Sequence, residues 1–366
     1  AMSHLWQYKP ILYILLFLLA DKVLLAPAVY ERFTLRIAPQ FDILHFDNEE
    51  YLKDTDRIDV WTLGSSRTVR LAMHVSKEEI DASPLIADSD RRRLGQYRFV
   101  NFALPGSIPI NYLYHYNYAR EKGYRPDVVF IEVSPQFFDM YYHSRNTYLY
   151  DVAPHFFILH HLFDFPLSYS LTWLRSRFIV GTAYPPGFFG NINKRILRET
   201  HLLHRTQLSF YVPHGRTYLT SDDRRIDQYP GLDNAQYRYG LTMAEFAGDQ
   251  HIFTIDKIAV DSLFCLLDQL DNEKIPYLLW NPPVHPNLLQ LQNERGTAQP
   301  YKELLRQLES RRPDLKFIDF NTKDNDLLHC PYFYNEGHLS YFCYTKVAAI
   351  LTEISEKAPA VRLSKP

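Results

Sequence analysis

The sequence predicts an α/β fold, a three-layer arrangement in which a parallel sheet is flanked by helices. Three features of the 366-residue chain carry that expectation. Strand-like and helix-like segments alternate along most of its length. The stretch 127–133 (DVVFIEV) is short, β-branched and almost continuously apolar, as a strand covered on both faces must be. The strand-like runs also end on Gly, Pro, Ser or Asn, residues that stop a strand and turn the chain.

Strands are expected at 58–63, 98–103, 127–133, 275–280 and 316–320, and helices at 65–73, 111–121, 255–270, 301–311 and 339–355. The helical stretch 255–270 carries apolar residues three and four apart, one stripe of a 3.6-residue period. Asn281-Pro282-Pro283 stops the fourth strand, because proline lacks the N–H that a ladder needs. Residues 136–250 break the rhythm. Tyr141-Tyr142, Phe156-Phe157, His160-His161, Trp173 and the turn-rich stretch 184–190 make this an aromatic-rich insertion, read as a cap over the carboxyl edge of the sheet. The expected organisation is an N-terminal membrane anchor (1–30), a connecting segment (31–56), a first part of the sheet domain (57–135), the insertion (136–250) and a second part (251–366).

The anchor rests on the apolar run from Pro10 to Ala20, which continues from Val23 to Tyr30 after Asp21-Lys22. The whole is long enough for a transmembrane helix of about 20 residues. A cleaved signal peptide, with Ala26-Pro27-Ala28 as its small-residue site, and a buried helix are the alternatives. Lys9 precedes the segment while Arg32 and Arg36 follow it, so charge does not orient it.

A net charge of −2 with no basic stripe gives no case for nucleic acid. Aromatic content of 15 % with only 13 Gly favours a packed body over disorder. Cys265, Cys330 and Cys343 lack metal-ligand spacing; a Cys330–Cys343 bridge is open, but unpaired buried thiols are favoured. The histidines of the insertion form no HExxH pair or comparable metal signature, and the serine chemistry read below requires neither a metal nor a nucleotide cofactor.

Chemistry is concentrated in two segments far apart in sequence. Gly64-Ser65-Ser66-Arg67 follows the first strand, and Asn335-Glu336-Gly337-His338-Leu339-Ser340 opens the last helix-like run. A serine on a strand-to-helix turn with a histidine arriving late suits acyl transfer: Ser66 as nucleophile and His338 as the base that takes its proton. Backbone N–H groups of Ser66 and Gly106 would hold the oxyanion at the sheet's carboxyl edge. The same Gly-Ser-Ser is also a plain helix N-cap. Arg67 either binds an anionic substrate group or faces solvent, and Trp280, Asn281 and His285 either line a pocket or form a structural turn.

These segments resemble, in order and strand context, the SGNH/GDSL hydrolase superfamily, and within it the membrane-anchored, DltD-like D-alanyl-transfer proteins and the alginate acetylation proteins. The first block, Gly-Asp-Ser, corresponds to Gly64-Ser65-Ser66, the second-block glycine to Gly106, and the final Asp-x-x-His to Asn335-Glu336-Gly337-His338, with Leu339-Ser340-Tyr341-Phe342 continuing into an apolar helix. The resemblance covers residues 57–135 and 255–356 but not the insertion. It departs in two places. Asn335 stands where the family has its acid, so either Glu336 supplies the carboxylate or Asn335 orients the ring. Val133-Ser134-Pro135-Gln136 replaces the third block, making Gln136 the candidate oxyanion donor and Ser134 a candidate substrate contact.

The resemblance implies an SGNH-like, serine-dependent O-acyltransferase, single-pass in a bacterial cytoplasmic membrane and facing the periplasm or exterior. It would move a small acyl group such as acetyl onto a cell-surface or secreted glycan beside a membrane-bound O-acyltransferase partner. The alternatives are an esterase deacylating glycan or lipid with the same residues, and a catalytically silent scaffold in a membrane complex.

Overall fold

The computed structural model describes residues 9–23, 56–103, 106–121, 123–140, 154–178, 253–294, 296–322, 328, 333–335, 337–339 and 341–357. The chain divides into two compact units, one formed by residues 1–46 and 155–213, the other by 47–154 and 214–366.

The larger unit is the α/β body. Its strands are β1 (Ile58–Leu63), β2 (Tyr97–Asn101), β3 (Val128–Glu132), β4 (Tyr277–Asn281) and β5 (Phe317–Asp319). They form one sheet in the order β2-β1-β3-β4-β5, every pair parallel. Helices α1 (Ser66–Met73), α2 (Lys77–Ala82) and α3 (Asp88–Leu94) lie between β1 and β2, and α4 (Pro109–Glu121) lies between β2 and β3. The second half supplies α5 (Lys257–Glu273), α6 (Pro286–Glu294) and α7 (Ala298–Arg311). It ends in a hairpin of β6 (Phe333–Asn335) and β7 (His338–Leu339), then α8 (Tyr341–Glu356).

Period-two alternation sorts the layers. Val60, Val128, Phe130, Leu278, Trp280 and Ile318 share a core with Leu71, Leu94, Cys343, Tyr344 and Val347 of α1, α3 and α8. On the other face Trp61 meets Tyr116 of α4 edge-on at 5.9 Å, and α4 packs on α5. All five residues of β3 are buried, which explains the nearly continuous apolar run of its sequence.

The chain leaves the sheet after β3 through a 3-10 turn, Pro135–Phe138, and returns where it left. Asp139 bridges Ile255, and the Met140 N–H donates to the Thr254 carbonyl at 2.8 Å. Of the aromatic-rich stretch, residues 141–153 and 179–252, including the 184–190 stretch, lie outside the described residues.

Among the described residues no helix is long and apolar enough to cross a membrane. The N-terminal helix Lys9–Val23 has 15 residues. Residues 1–8 and 24–55, which hold the rest of the expected anchor and nearly all of the connecting segment, lie outside the described residues. Two expectations are corrected. Cys343 is disulfide-bonded rather than a free thiol. Cys265 is free, and the remaining cysteine, Cys330, lies outside the described residues. Second, His338 does not open a helix. It pairs with Asn335 across a bulged two-stranded hairpin turned through Gly337, and α8 begins three residues later.

Gly64 joins β1 to α1, and a Cβ there would lie 2.1 Å from Thr68 Oγ1 and 2.7 Å from Glu132 Cβ. Gly64→Ala is expected to destabilise the fold by about 3 kcal/mol, read as a lower urea midpoint. His115 on α4 is wholly buried; its Nδ1–H donates to the Phe102 carbonyl at 2.8 Å, while Nε2 has no partner among the described residues. A proton on Nε2 would sit against apolar core, so burial pushes the imidazole from 6.5 down to about 4. The unfolded chain takes up that proton first, so this stability is complete above pH 6.5 and is lost as pH falls towards 4. The loss of unfolding free energy from pH 7 to pH 4 should shrink by about 3 kcal/mol in His115→Phe.

Candidate active site

The sheet order places the switch point between β1 and β3, where the chain turns outward first to β2 on one side and later to β4 on the other. Ligands of open α/β sheets bind at the carboxyl ends of strands at such a point. Ser66 follows β1 there, and Glu132 and Ser134 sit at the end of β3.

Ser65 and Ser66 divide two roles that the sequence left open. Ser65, extended at φ −95° and ψ −163°, is the N-cap of α1, and its side chain accepts from the Arg67 N–H at 3.4 Å. That leaves Ser66 as the first helical residue with its hydroxyl directed elsewhere. Ser66 Oγ lies 2.7 Å from His338 Nε2, across 272 residues of sequence. His338 reaches it from β7, whose neighbour Leu339 is buried in the core beneath α8. Because α8 packs against α1 and α3, the element that brings the histidine also rests on the helix that carries the serine.

His338 is held well below the usual histidine range, first by burial and then by the Arg70 and Arg67 guanidinium groups nearby. It is therefore neutral at pH 7 and able to accept a proton from Ser66.

Glu132 was not among the residues singled out from sequence, yet it organises this corner. It has no exposure to solvent. Its carboxylate accepts from the Ser65 N–H at 2.8 Å, the Ser65 hydroxyl at 2.8 and 3.0 Å, the Thr68 hydroxyl at 2.7 Å and the Ser134 hydroxyl at 2.7 Å. Arg67 completes the cluster, with Nη1 4.0 Å from Glu132 Oε1 and donating to Ser134 Oγ at 3.3 Å. A buried carboxylate with this many donors and a counter-charge is satisfied rather than stranded. The signal in the sequence was a single acid inside an otherwise apolar strand, Val128–Glu132.

The remaining candidates fall into place one by one. Arg67 is 4 % exposed, so the reading in which it faces solvent is excluded; its guanidinium lies 5.8 Å from the centre of the Phe137 ring. Ser134 is buried with its hydroxyl engaged by Glu132 and Arg67. Gln136 is half-buried on the 3-10 turn, and its side-chain oxygen accepts from Gln292 at 3.4 Å. Asn281 is buried at the end of β4 and donates to Asp319 at 3.0 Å, joining β4 to β5. Asn321 braces the same edge through Pro282 and Val284. Trp280 belongs to the apolar core. Gly106 is half-buried between β2 and α4 at φ 77°, a left-handed conformation that favours glycine. Asn335 lies on β6, opposite His338 in the hairpin register. Its side chain, and Glu336 altogether, lie outside the described residues.

No curated protein matches the chain. The sequence matches one protein family, DUF1574, described as proteins of unknown function, over residues 2–354, and the chain belongs to that family.

Proposed function

We propose that the protein is an extracytoplasmic, SGNH-like serine acyltransferase. It transfers a small acyl group, such as acetyl, onto a cell-surface or secreted glycan, together with a membrane-bound O-acyltransferase partner. The observation that carries this reading is the 2.7 Å contact between Ser66 Oγ and a His338 that burial keeps neutral, at the switch point of a parallel sheet.

In this reading Ser66 Oγ attacks the acyl carbonyl of the donor while His338 Nε2 takes the hydroxyl proton. The oxyanion is held by the Ser66 N–H, which has no partner among the described residues, and by the Gly106 N–H. The proton on His338 passes to the leaving group. An acceptor hydroxyl then gives its proton to His338 and attacks the acyl-enzyme, and His338 returns that proton to Ser66 Oγ as the ester bond to Ser66 breaks. A water in that position would give hydrolysis, so the reaction's outcome depends on what reaches the ester.

Two further observations support the location. The Cys343 disulfide suits an oxidising compartment outside the cytoplasm. The smaller unit carries exposed apolar side chains: Ile11, Leu12, Ile14, Leu15, Leu16 and Phe17 on the helix Lys9–Val23, and Phe156, Leu159, Leu167, Leu171 and a 98 % exposed Phe163 in 155–178. Apolar surface of this extent favours contact with lipid or an integral-membrane partner.

A fluorophosphonate probe is expected to modify the full-length protein at Ser66, located by peptide mass spectrometry, and to leave Ser66→Ala and His338→Ala unmodified. Adduct elsewhere, or none on folded protein, contradicts the reading. Because His338 titrates well below 6.5, the modification rate should stay flat through neutrality and fall only at lower pH, as protonation removes the base.

A further inference from the structure

The start of α1 offers backbone N–H groups that have no helical partner of their own, and the Glu132 cluster determines which of them remains beside the nucleophile. The Ser65 N–H is taken by Glu132 Oε2 at 2.8 Å. The Arg67 N–H is taken by Ser65 Oγ at 3.4 Å, and the Val69 N–H by the Ser65 carbonyl at 2.9 Å. The Ser66 and Thr68 N–H groups are left without partners among the described residues, and the first belongs to the nucleophile's own residue.

We infer that Glu132 is a positioning residue for Ser66, acting through Ser65. By holding the Ser65 N–H and hydroxyl together it fixes the Gly64-Ser65-Ser66 turn, aims Ser66 Oγ at His338 and reserves the Ser66 N–H for the oxyanion. The inference rests on the reading of Ser66 as nucleophile given above.

The chemistry of the cluster calls for a carboxylate. Oε2 receives three donors, one of them a backbone N–H that cannot reverse its role. Oε1 receives the Ser134 hydroxyl and faces Arg67 Nη1 at 4.0 Å. An amide in place of Glu132 presents its own donors at one of these two positions. They would meet either the Ser65 N–H or the side that faces the guanidinium, so one contact inverts. The charge of the buried Arg67 would also lose its compensation. The approach depends on Gly64, since any Cβ there would lie 2.7 Å from Glu132 Cβ. The carboxylate touches no reacting atom; its effect on chemistry passes through the geometry of the turn.

The test is the inactivation rate constant and the binding constant of a fluorophosphonate on full-length wild type, Glu132→Gln, Ser65→Ala and the double variant, each with its thermal midpoint. Glu132→Gln and Ser65→Ala are each expected to lower the inactivation rate constant of folded protein about 10²-fold, with binding of the probe unchanged. The double variant should be no slower than the slower single one, because both changes break the same link. A purely structural role would lower the midpoint and leave the rate of the folded molecules alone. If Glu132→Gln does not fold, Ser65→Ala, which keeps the charge, carries the same expectation. A wild-type rate in either single variant, or losses that multiply in the double, overturns this inference alone. An unmodified wild type overturns the nucleophile reading and this inference with it.

Discussion

A carboxylate shut away from water at the end of the central strand is the constraint around which this corner of the fold is built. Left unpaired, the ionised Glu132 would cost several kcal/mol. The fold meets that cost with one backbone N–H, three hydroxyls and an arginine drawn from two adjoining elements, the end of β3 and the start of α1. Satisfying Glu132 therefore fixes the strand-to-helix turn after β1 against the end of β3. Gly64 is the steric condition for the arrangement, since no side chain fits between Thr68 and Glu132.

The second half of the chain completes the site by ordinary core packing. Leu339, Cys343, Tyr344 and Val347 share the apolar layer with α1 and the sheet, and burying them carries β7 and its histidine to the serine. The energy that positions the base is thus hydrophobic and spread over many side chains, whereas the nucleophile's turn is held by a few short polar bonds. The same burial lowers the histidine's proton affinity, so packing sets both where the base sits and its charge.

Much of this was legible in the sequence because each signal was local. The five strands were placed within about two residues of their bounds by apolar runs closed with turn residues. Ser66 and His338 stood out as a serine after a strand and a late histidine. What escaped depended on partners distant in sequence. Glu132 reads as one acid in an apolar strand, and only the approach of α1 turns it into an organising group. Ser134 and Asn281 stood out because they end strands, but the partners their side chains bond to, Glu132 and Asp319, were not readable from local sequence. The hairpin of His338 was hidden because its pairing with Asn335 across Gly337 leaves almost no alternation to read. Two short helices were missed that local signals did mark. Ser76 and Glu79 form the start of α2, where the Glu79 N–H donates to Ser76 at 3.3 Å, and α3 runs from Asp88 and Asp90 to three arginines, a charge order that suits the helix dipole.

The most direct test of the central claim, that Ser66 is a nucleophile activated by His338, is to look for the acyl-enzyme itself. Full-length protein exposed briefly to p-nitrophenyl acetate at neutral pH and quenched in acid would be read by intact mass and peptide mapping. The account predicts the mass of one acetyl group, carried by the peptide containing Ser66. Acetyl spread over surface lysines with Ser66 unmodified, in protein shown to be folded, would contradict it.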